Sequence, residues 1–153
     1  MQKHNSKRAV VFGIAAVAWL GVLFYFSGQS GAESGNLSAK LTRFLFGWWI
    51  DRGADAVLLE HILRKCAHAG IFAVEGFLLG MSLLSAMKKR SEAFFLTLAG
   101  CGLIAIANEL HQLTAADRSC NVRDMLIDTA GAAAGLMAAV VLLHLFRPRR
   151  TKS

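Results

Sequence analysis

Four long runs of apolar residues, separated by short polar segments, constrain this chain more than any other feature of its sequence. The first run, Ala9 to Phe26, contains no charged residue and follows the basic residues Lys7 and Arg8. At about 1.5 Å of rise per residue, a helix over this run spans most of a bilayer's hydrocarbon core. A signal peptide also fits the basic start. However, the run exceeds a usual signal-peptide core and no A-x-A site follows, which favours a retained helix.

The three later runs predict three more membrane-spanning helices. The predicted spans cover residues 9–26, 66–87, 93–112 and 125–146. The third reaches membrane thickness only if Asn108 to Gln112 form its last turn. Apolar residues make up 55% of the 153-residue chain, more than a soluble domain usually has. The length predicts one domain, covering residues 1–153.

The segment between the first and second spans differs from the four runs. Ser27 to Asn36 is rich in glycine and serine and predicts a turn region. Apolar residues then recur at helical spacing from Leu37 to Trp48, with basic residues between them. This pattern predicts a short amphipathic helix, lying either in the membrane interface or on the surface of the bundle. The predicted fold is therefore an all-α membrane protein with four transmembrane helices and a short amphipathic interfacial helix between the first and second.

The distribution of basic residues predicts the orientation. Four spans place both termini on one side, and that side carries 10 of the 17 lysines and arginines in short clusters. The other 7 are mixed with acidic residues. The positive-inside rule therefore predicts cytoplasmic termini and extracytoplasmic loops over residues 27–65 and 113–124. The basic residues cluster at the ends of apolar runs, so the net charge of +7 indicates membrane lipids as partners and does not indicate nucleic acid.

This topology brings the start of span two, the end of span three and the start of span four to the outer side. Those three places carry most of the unusual polar residues, and charges close to hydrocarbon require an explanation. The candidate pocket consists of Lys65, His68, Asn108, Glu109, Gln112, Arg118, Arg123, Asp124 and Asp128. Gly131 and Gly135 form a small-residue packing face that turns Asp128 into the bundle. Glu75, about 15 Å deeper than Lys65 on a helix, is either a neutral hydrogen-bonding group or the floor of a polar cavity.

Motifs for metals and cofactors do not appear. The cysteines at positions 66, 101 and 120 have no metal-ligand spacing, and no H-E-x-x-H motif is present. Cys66 and Cys120 can face the same compartment, which leaves a disulfide open as a secondary alternative. The sequence therefore predicts neither a metal nor a cofactor.

Three blocks of the chain form recognisable motifs. They are the segment from Phe24 to Ser30, the block Arg64-Lys65-x-x-His68-x-x-x-Phe72, and Asn108-Glu109-x-x-Gln112 followed by Arg118 and Asp124-x-x-x-Asp128-x-x-Gly131-x-x-x-Gly135. In these blocks the chain resembles the VanZ-like family of small bacterial integral membrane proteins, which is related to a teicoplanin-resistance protein. The family often has Asn at the position of Asp128. The resemblance implies a multi-pass protein of the bacterial cytoplasmic (inner) membrane and cell envelope, with a role in antibiotic resistance through tolerance of glycopeptides. It implies no chemical mechanism.

Three hypotheses for the polar cluster remain. It binds an anionic headgroup or a lipid-linked cell-wall precursor, because the planar fork of arginine suits phosphate and carboxylate. Alternatively, it is the active site of a membrane-embedded enzyme in which His68, oriented by Glu109 or Asp124, does acid–base chemistry. Finally, the cluster only holds three helices together through polar contacts of about 0.6–2 kcal/mol each.

Overall fold

The computed structural model describes residues 6–146 and folds them into five α-helices. The helices are α1 (Ser6–Ser27), α2 (Gly31–Ile50), α3 (Ala56–Ala86), α4 (Arg90–Gln112) and α5 (Val122–Leu145). By length and composition, α1, α3, α4 and α5 can each cross a membrane. This confirms the predicted all-α membrane fold with an additional helix between the first and second spans. The predicted cytoplasmic position of the termini concerns the two chain ends, which lie outside the described residues.

Helix α2 begins earlier than the sequence analysis predicted. The predicted turn region is helical from Gly31 onward, so the prediction is wrong for Gly31 to Asn36. The reason is a capping box. Ser30 Oγ accepts a hydrogen bond from the Glu33 N–H at 3.2 Å, and Glu33 Oε2 accepts one from the Ser30 N–H at 2.9 Å. Hydrogen bonds from the Ser30 backbone and then from its side chain lower the pKa of the Glu33 carboxyl.

The two faces of α2 are inverted relative to a helix on a soluble protein. Its buried residues are the small polar Ser38 and Thr42, and Ser38 Oγ donates to Glu60 Oε1 of α3 at 2.6 Å. Its outer face carries Phe44, which is 84% exposed, and the exposed Trp48. Such a face is favourable against the acyl and headgroup boundary of a bilayer. The helix therefore packs on the bundle and also presents the surface that an interfacial helix needs.

Helices α3 and α5 lie in parallel and form the most extensive contact of the fold. Glycines let their backbones touch. A Cβ added to Gly131 would lie 2.2 Å from the Ala69 oxygen, and one added to Gly135 would lie 1.8 Å from the Ala73 oxygen. A Cβ added to Gly76 of α3 would lie 2.1 Å from the Ala132 oxygen of α5. Close backbone approach of this kind is typical of small-residue contacts between membrane helices.

Helix α1 is attached to α3 by hydrogen bonds along its length. Trp19 Nε1 donates to the Ile71 oxygen at 2.9 Å, and Ser82 Oγ donates to the Ala9 oxygen at 2.9 Å. The C-terminal ends of α1 and α4 therefore meet the N-terminal ends of α3 and α5 at one end of the bundle, which we call the polar end. Helix α2 also begins there.

Candidate functional site

Glu109 connects the last turn of α4 to the first turn of α5. Its side chain is fully buried. Oε1 accepts a hydrogen bond from Gln112 Nε2 at 2.9 Å, and Oε2 accepts one from the Asn121 N–H at 2.8 Å. Asn121 caps α5, since its Oδ1 accepts from the Arg123 N–H at 3.0 Å. A carboxylate beside a helix N-terminus is favourable. Oε2 therefore stabilises the connection between α4 and α5, while Oε1 is held by Gln112 of the same helix.

Two contacts between a basic and an acidic side chain join α3 to α5. Lys65 forms an ion pair with Asp124. One helical turn further, His68 Nδ1 lies 3.4 Å from Asp128 Oδ1. This second contact is an ion-pair distance without hydrogen-bond geometry, because neither oxygen of the fully buried Asp128 has a hydrogen-bond partner among residues 6–146. The enzyme hypothesis placed Glu109 or Asp124 beside His68, and the acid at that position is instead Asp128.

A cavity of about 270 Å³ lies at the polar end between α1, α2 and α3. Its lining is mainly apolar and includes Leu23, Phe26, Leu37, Leu41, Leu63 and Ile71. The polar lining residues are Ser27, Gln29, Ser34, Ser38, Arg64, His68, Asn108 and Arg118. Ligand pockets of proteins are typically about 300–1,000 Å³ and mostly apolar, with a few converging polar groups. This cavity has that character, and its volume is slightly below the lower end of that range.

Two arginines give the cavity wall its charge. Arg118 Nε donates to the Gln29 oxygen at 3.3 Å, and the side chain forms no ion pair with any acid in the described part of the chain. Burial and then the positive charge of Arg64 lower the pKa of the Arg118 guanidinium, although an arginine stays charged in proteins. Arg64 Nη2 lies 3.3 Å from Glu60 Oε1, while its buried Nε has no described partner. An anion between the two guanidinium groups would offset their repulsion.

The loop between α4 and α5 positions Arg118 by docking on the start of α2. The Gly31 N–H donates to the Ala116 oxygen at 2.9 Å. A Cβ on Gly31 would lie 2.4 Å from the Asp117 oxygen, so the loop can approach only because residue 31 is glycine. Asp117 has a φ of 57°, a left-handed conformation that Asp adopts more readily than most residues. The loop therefore forms one wall of the cavity together with the connection between α1 and α2.

The residues of the candidate pocket separate into two groups at the polar end. His68, Asn108 and Arg118 line the cavity. The residues engaged in contacts among α3, α4 and α5 are Lys65, Glu109, Gln112, Asp124 and Asp128. Arg123 has an exposed side chain and does not line the cavity. Glu75 is 1% exposed, two turns along α3 from His68, and its Oε2 has no described hydrogen-bond partner.

Five polar residues that line the cavity were absent from the candidate pocket. They are Ser27, Gln29, Ser34, Ser38 and Arg64. The first two belong to the segment from Phe24 to Ser30, which carries part of the family resemblance but contains no predicted pocket residue. Ser27 Oγ donates to the Asn108 oxygen at 3.2 Å, so this segment is attached directly to the last turn of α4. Arg64 precedes Lys65, and adjacent helix residues point about 100° apart, which explains why one faces the cavity and the other faces α5.

The chemistry available at the polar end is anion binding and, at His68, proton transfer. Within residues 6–146, no group of three or more His, Cys, Asp or Glu side chains is arranged to hold a metal ion. The cysteines at positions 66, 101 and 120 are free thiols, so the disulfide alternative is not realised. The guanidinium groups of Arg64 and Arg118 are the donors suited to phosphate or carboxylate.

Comparison with known proteins supports the resemblance. The search of curated proteins and the search of solved structures each gave no match to the chain. A family model described as VanZ/LLP1 matches residues 12–144, which include α2 to α5 and nearly all of α1. The match extends over all three motif blocks and both groups of polar residues. The chain belongs to the VanZ/LLP1 family and is a VanZ-like membrane protein.

Proposed function

We propose that this protein binds an anionic lipid headgroup or a lipid-linked cell-wall precursor in the cavity at the polar end. The observation that carries the proposal is the presence of two guanidinium groups, Arg64 and Arg118, on the wall of a mainly apolar cavity. A ligand that matches both features has a phosphate or carboxylate joined to a hydrocarbon chain. Neither a soluble anion nor a neutral hydrocarbon uses both.

The headgroup contact rests on Arg118. It has no described acidic partner, and arginine forms bidentate hydrogen bonds to phosphate and carboxylate. Arg64 offers a second donor through its unpartnered Nε. The hydrocarbon chain lies against the apolar lining from α1 and α2. The volume of about 270 Å³ suits a headgroup and the first part of a chain, with the remainder of the chain in the bilayer.

The cellular setting belongs to the same proposal. The protein lies in the bacterial inner membrane with both termini in the cytoplasm, which puts the cavity at the outer leaflet, where lipid-linked precursors are used. Lysine and arginine cluster before the first span, around Lys88 and after the fourth span, and these clusters support this orientation. Binding of a wall precursor or anionic lipid there would link the protein to tolerance of glycopeptides such as teicoplanin.

A membrane enzyme is the second candidate function, and one observation favours it. His68 lines the cavity while its Nδ1 lies 3.4 Å from the buried Asp128 carboxylate. An acid beside one ring nitrogen can orient a histidine for proton transfer at the other. Turnover of a lipid-linked precursor by the purified protein, lost in His68→Gln, would establish this function. Binding without turnover favours the binding function.

The matched pair Arg118→Gln and Arg123→Gln tests the binding function. Both remove one arginine from the polar end, but only Arg118 lines the cavity. Phosphatidylglycerol retained by the purified protein is measured by native mass spectrometry after exchange into a neutral detergent. We expect affinity to fall about tenfold in Arg118→Gln, the loss typical of a charge-assisted hydrogen bond, and to stay unchanged in Arg123→Gln. Equal retention by both variants would contradict the proposal.

A further inference from the structure

A second cavity lies at the opposite end of the bundle from the first. It has a volume of about 320 Å³ and is lined by Leu84, Arg90, Ser91, Phe94, Phe95 and Val140. These residues come from the end of α3, the first turns of α4 and the last turns of α5. Its lining is apolar except for one arginine and one serine, and it shares no residue with the first cavity.

Arg90 is the unusual residue of this cavity. Its Nε is buried and has no hydrogen-bond partner among residues 6–146, and its guanidinium forms no ion pair with an acid in that range. A buried donor without a partner costs about 1–3 kcal/mol, so the group requires a partner from outside the described chain. The ends of membrane-spanning helices lie at the depth of the lipid headgroups, so phospholipid phosphates are abundant partners there.

The charged residues at this end of the bundle determine whether that partner is anionic or cationic. Glu92 is the only acid within residues 6–32, 76–108 and 129–146. Its Oε1 is already occupied by Lys89 Nζ at 2.7 Å. Lys88 is exposed next to it. The second cavity therefore faces an excess of positive charge, which attracts an anionic ligand and repels a cationic one.

We propose that the second cavity binds an anionic phospholipid of the leaflet at that end, with its phosphate on Arg90 and an acyl chain along Phe94 and Phe95. The Arg90 guanidinium and the Ser91 hydroxyl donate to phosphate oxygens. The chain lies in the apolar groove that Leu84 and Val140 complete. Basic pockets between membrane helices bind anionic headgroups in this way. The site is independent of the first cavity and of the direction in which the protein is inserted.

Photocrosslinking tests the site in nanodiscs of phosphatidylcholine that contain the full-length protein. The probe is phosphatidylglycerol with a diazirine on its acyl chain, and crosslinked peptides are mapped by mass spectrometry. In the native protein we expect crosslinks on Phe94 and Phe95 that exceed those from a phosphatidylcholine probe. Arg90→Gln should lower phosphatidylglycerol crosslinking there about tenfold. Lys88→Gln, which removes an exposed charge that does not line the cavity, should lower it much less than Arg90→Gln does.

Three results would overturn the proposal. They are native-level crosslinking in Arg90→Gln, an equal loss in Lys88→Gln, and equal crosslinking of the two lipid probes. Arg90→Lys provides a variant that retains the charge if Arg90→Gln does not fold, and the loss of the bidentate fork should still reduce crosslinking measurably. Peptides from the polar end report separately on the first cavity, so failure of either site is distinguishable from failure of the other.

Discussion

Glu109 and Arg118 belong to the same polar end, yet their surroundings assign them different roles. Both carboxylate oxygens of Glu109 accept hydrogen bonds from groups of the protein. Arg118 donates only to a carbonyl and directs its charge toward a cavity. A carboxylate whose two oxygens both accept hydrogen bonds stabilises the fold, whereas a guanidinium without an acidic partner among residues 6–146 is available to an anionic ligand. The structural hypothesis therefore applies to Glu109, and the binding hypothesis applies to Arg118.

Replacement of Glu109 by Ala should destabilise the protein. It leaves the Asn121 N–H and the Gln112 amide without their acceptor, and we expect a loss of about 1–3 kcal/mol. Glu92→Ala is the control on the same helix, because its exposed pair with Lys89 is worth at most about 1 kcal/mol. Thermal unfolding in detergent measures both variants. Equal midpoints for the two variants would show that the buried hydrogen bonds do not stabilise the helix connection.

At the scale of helices, α3 and α5 form the rigid part of the fold. Their backbones touch at Gly131 and Gly135, where a single added carbon has no space. Helices α1 and α2 pack on α3, and the first cavity lies between these three helices. Polar contacts at the rim connect the two parts, as between Ser38 and Glu60. The cavity therefore has one wall fixed by backbone contact and another fixed by side chains.

Replacement of Gly135 by Ala should separate α3 from α5 and destabilise the protein by about 1–3 kcal/mol, the usual cost of overpacking. The new Cβ would lie 1.8 Å from the Ala73 oxygen. Gly70→Ala is the matched control on α3, because no atom lies within 4 Å of its added Cβ. Thermal unfolding in detergent should show a lower midpoint for the first variant and no loss for the second. A similar change in both would mean that helix propensity, and not contact with α3, sets the effect.

At the scale of the whole molecule, the polar end carries its own reporters of orientation. Cys66 and Cys120 are exposed there, whereas Cys101 is fully buried. Cys120 lies in the loop between α4 and α5, outside the spans. One thiol in that loop can therefore distinguish the two possible directions of insertion.

A membrane-impermeant maleimide should label Cys120 in intact cells, because the predicted orientation places the polar end outside the cytoplasmic membrane. The measurement is the labelled peptide in the Cys66→Ala background. Cys120→Ala in the same background is the control and should remain unlabelled, since Cys101 is buried. Labelling of Cys120 only after the membrane is permeabilised would reverse the orientation and place the first cavity at the inner leaflet.

The fold class could be predicted because apolar run length is a local property of the sequence. The start of α2 was predicted incorrectly because the glycine and serine content outweighed the Ser30-x-x-Glu33 capping signal. The packing face of Gly131 and Gly135 predicted that Asp128 faces into the bundle, but it could not identify the partner of Asp128. Gln29 and Ser34 reach the cavity only through the packing of α2 against α3 and the loop before α5. That packing is long-range, and periodicity along one helix carries no information about it.

The parallel contact of α3 with α5 also restricts how the chain can change in length. Lys65–Asp124 and His68–Asp128 join residues 59 and 60 positions apart, and Ala69–Gly131 and Ala73–Gly135 join residues 62 apart. One residue inserted into either helix between these contacts rotates everything after it by about 100°. The charged pairs and the glycines would then face different sides. Insertions and deletions among relatives should therefore occur in the loops and at the chain ends, while these two helical stretches keep a constant number of residues.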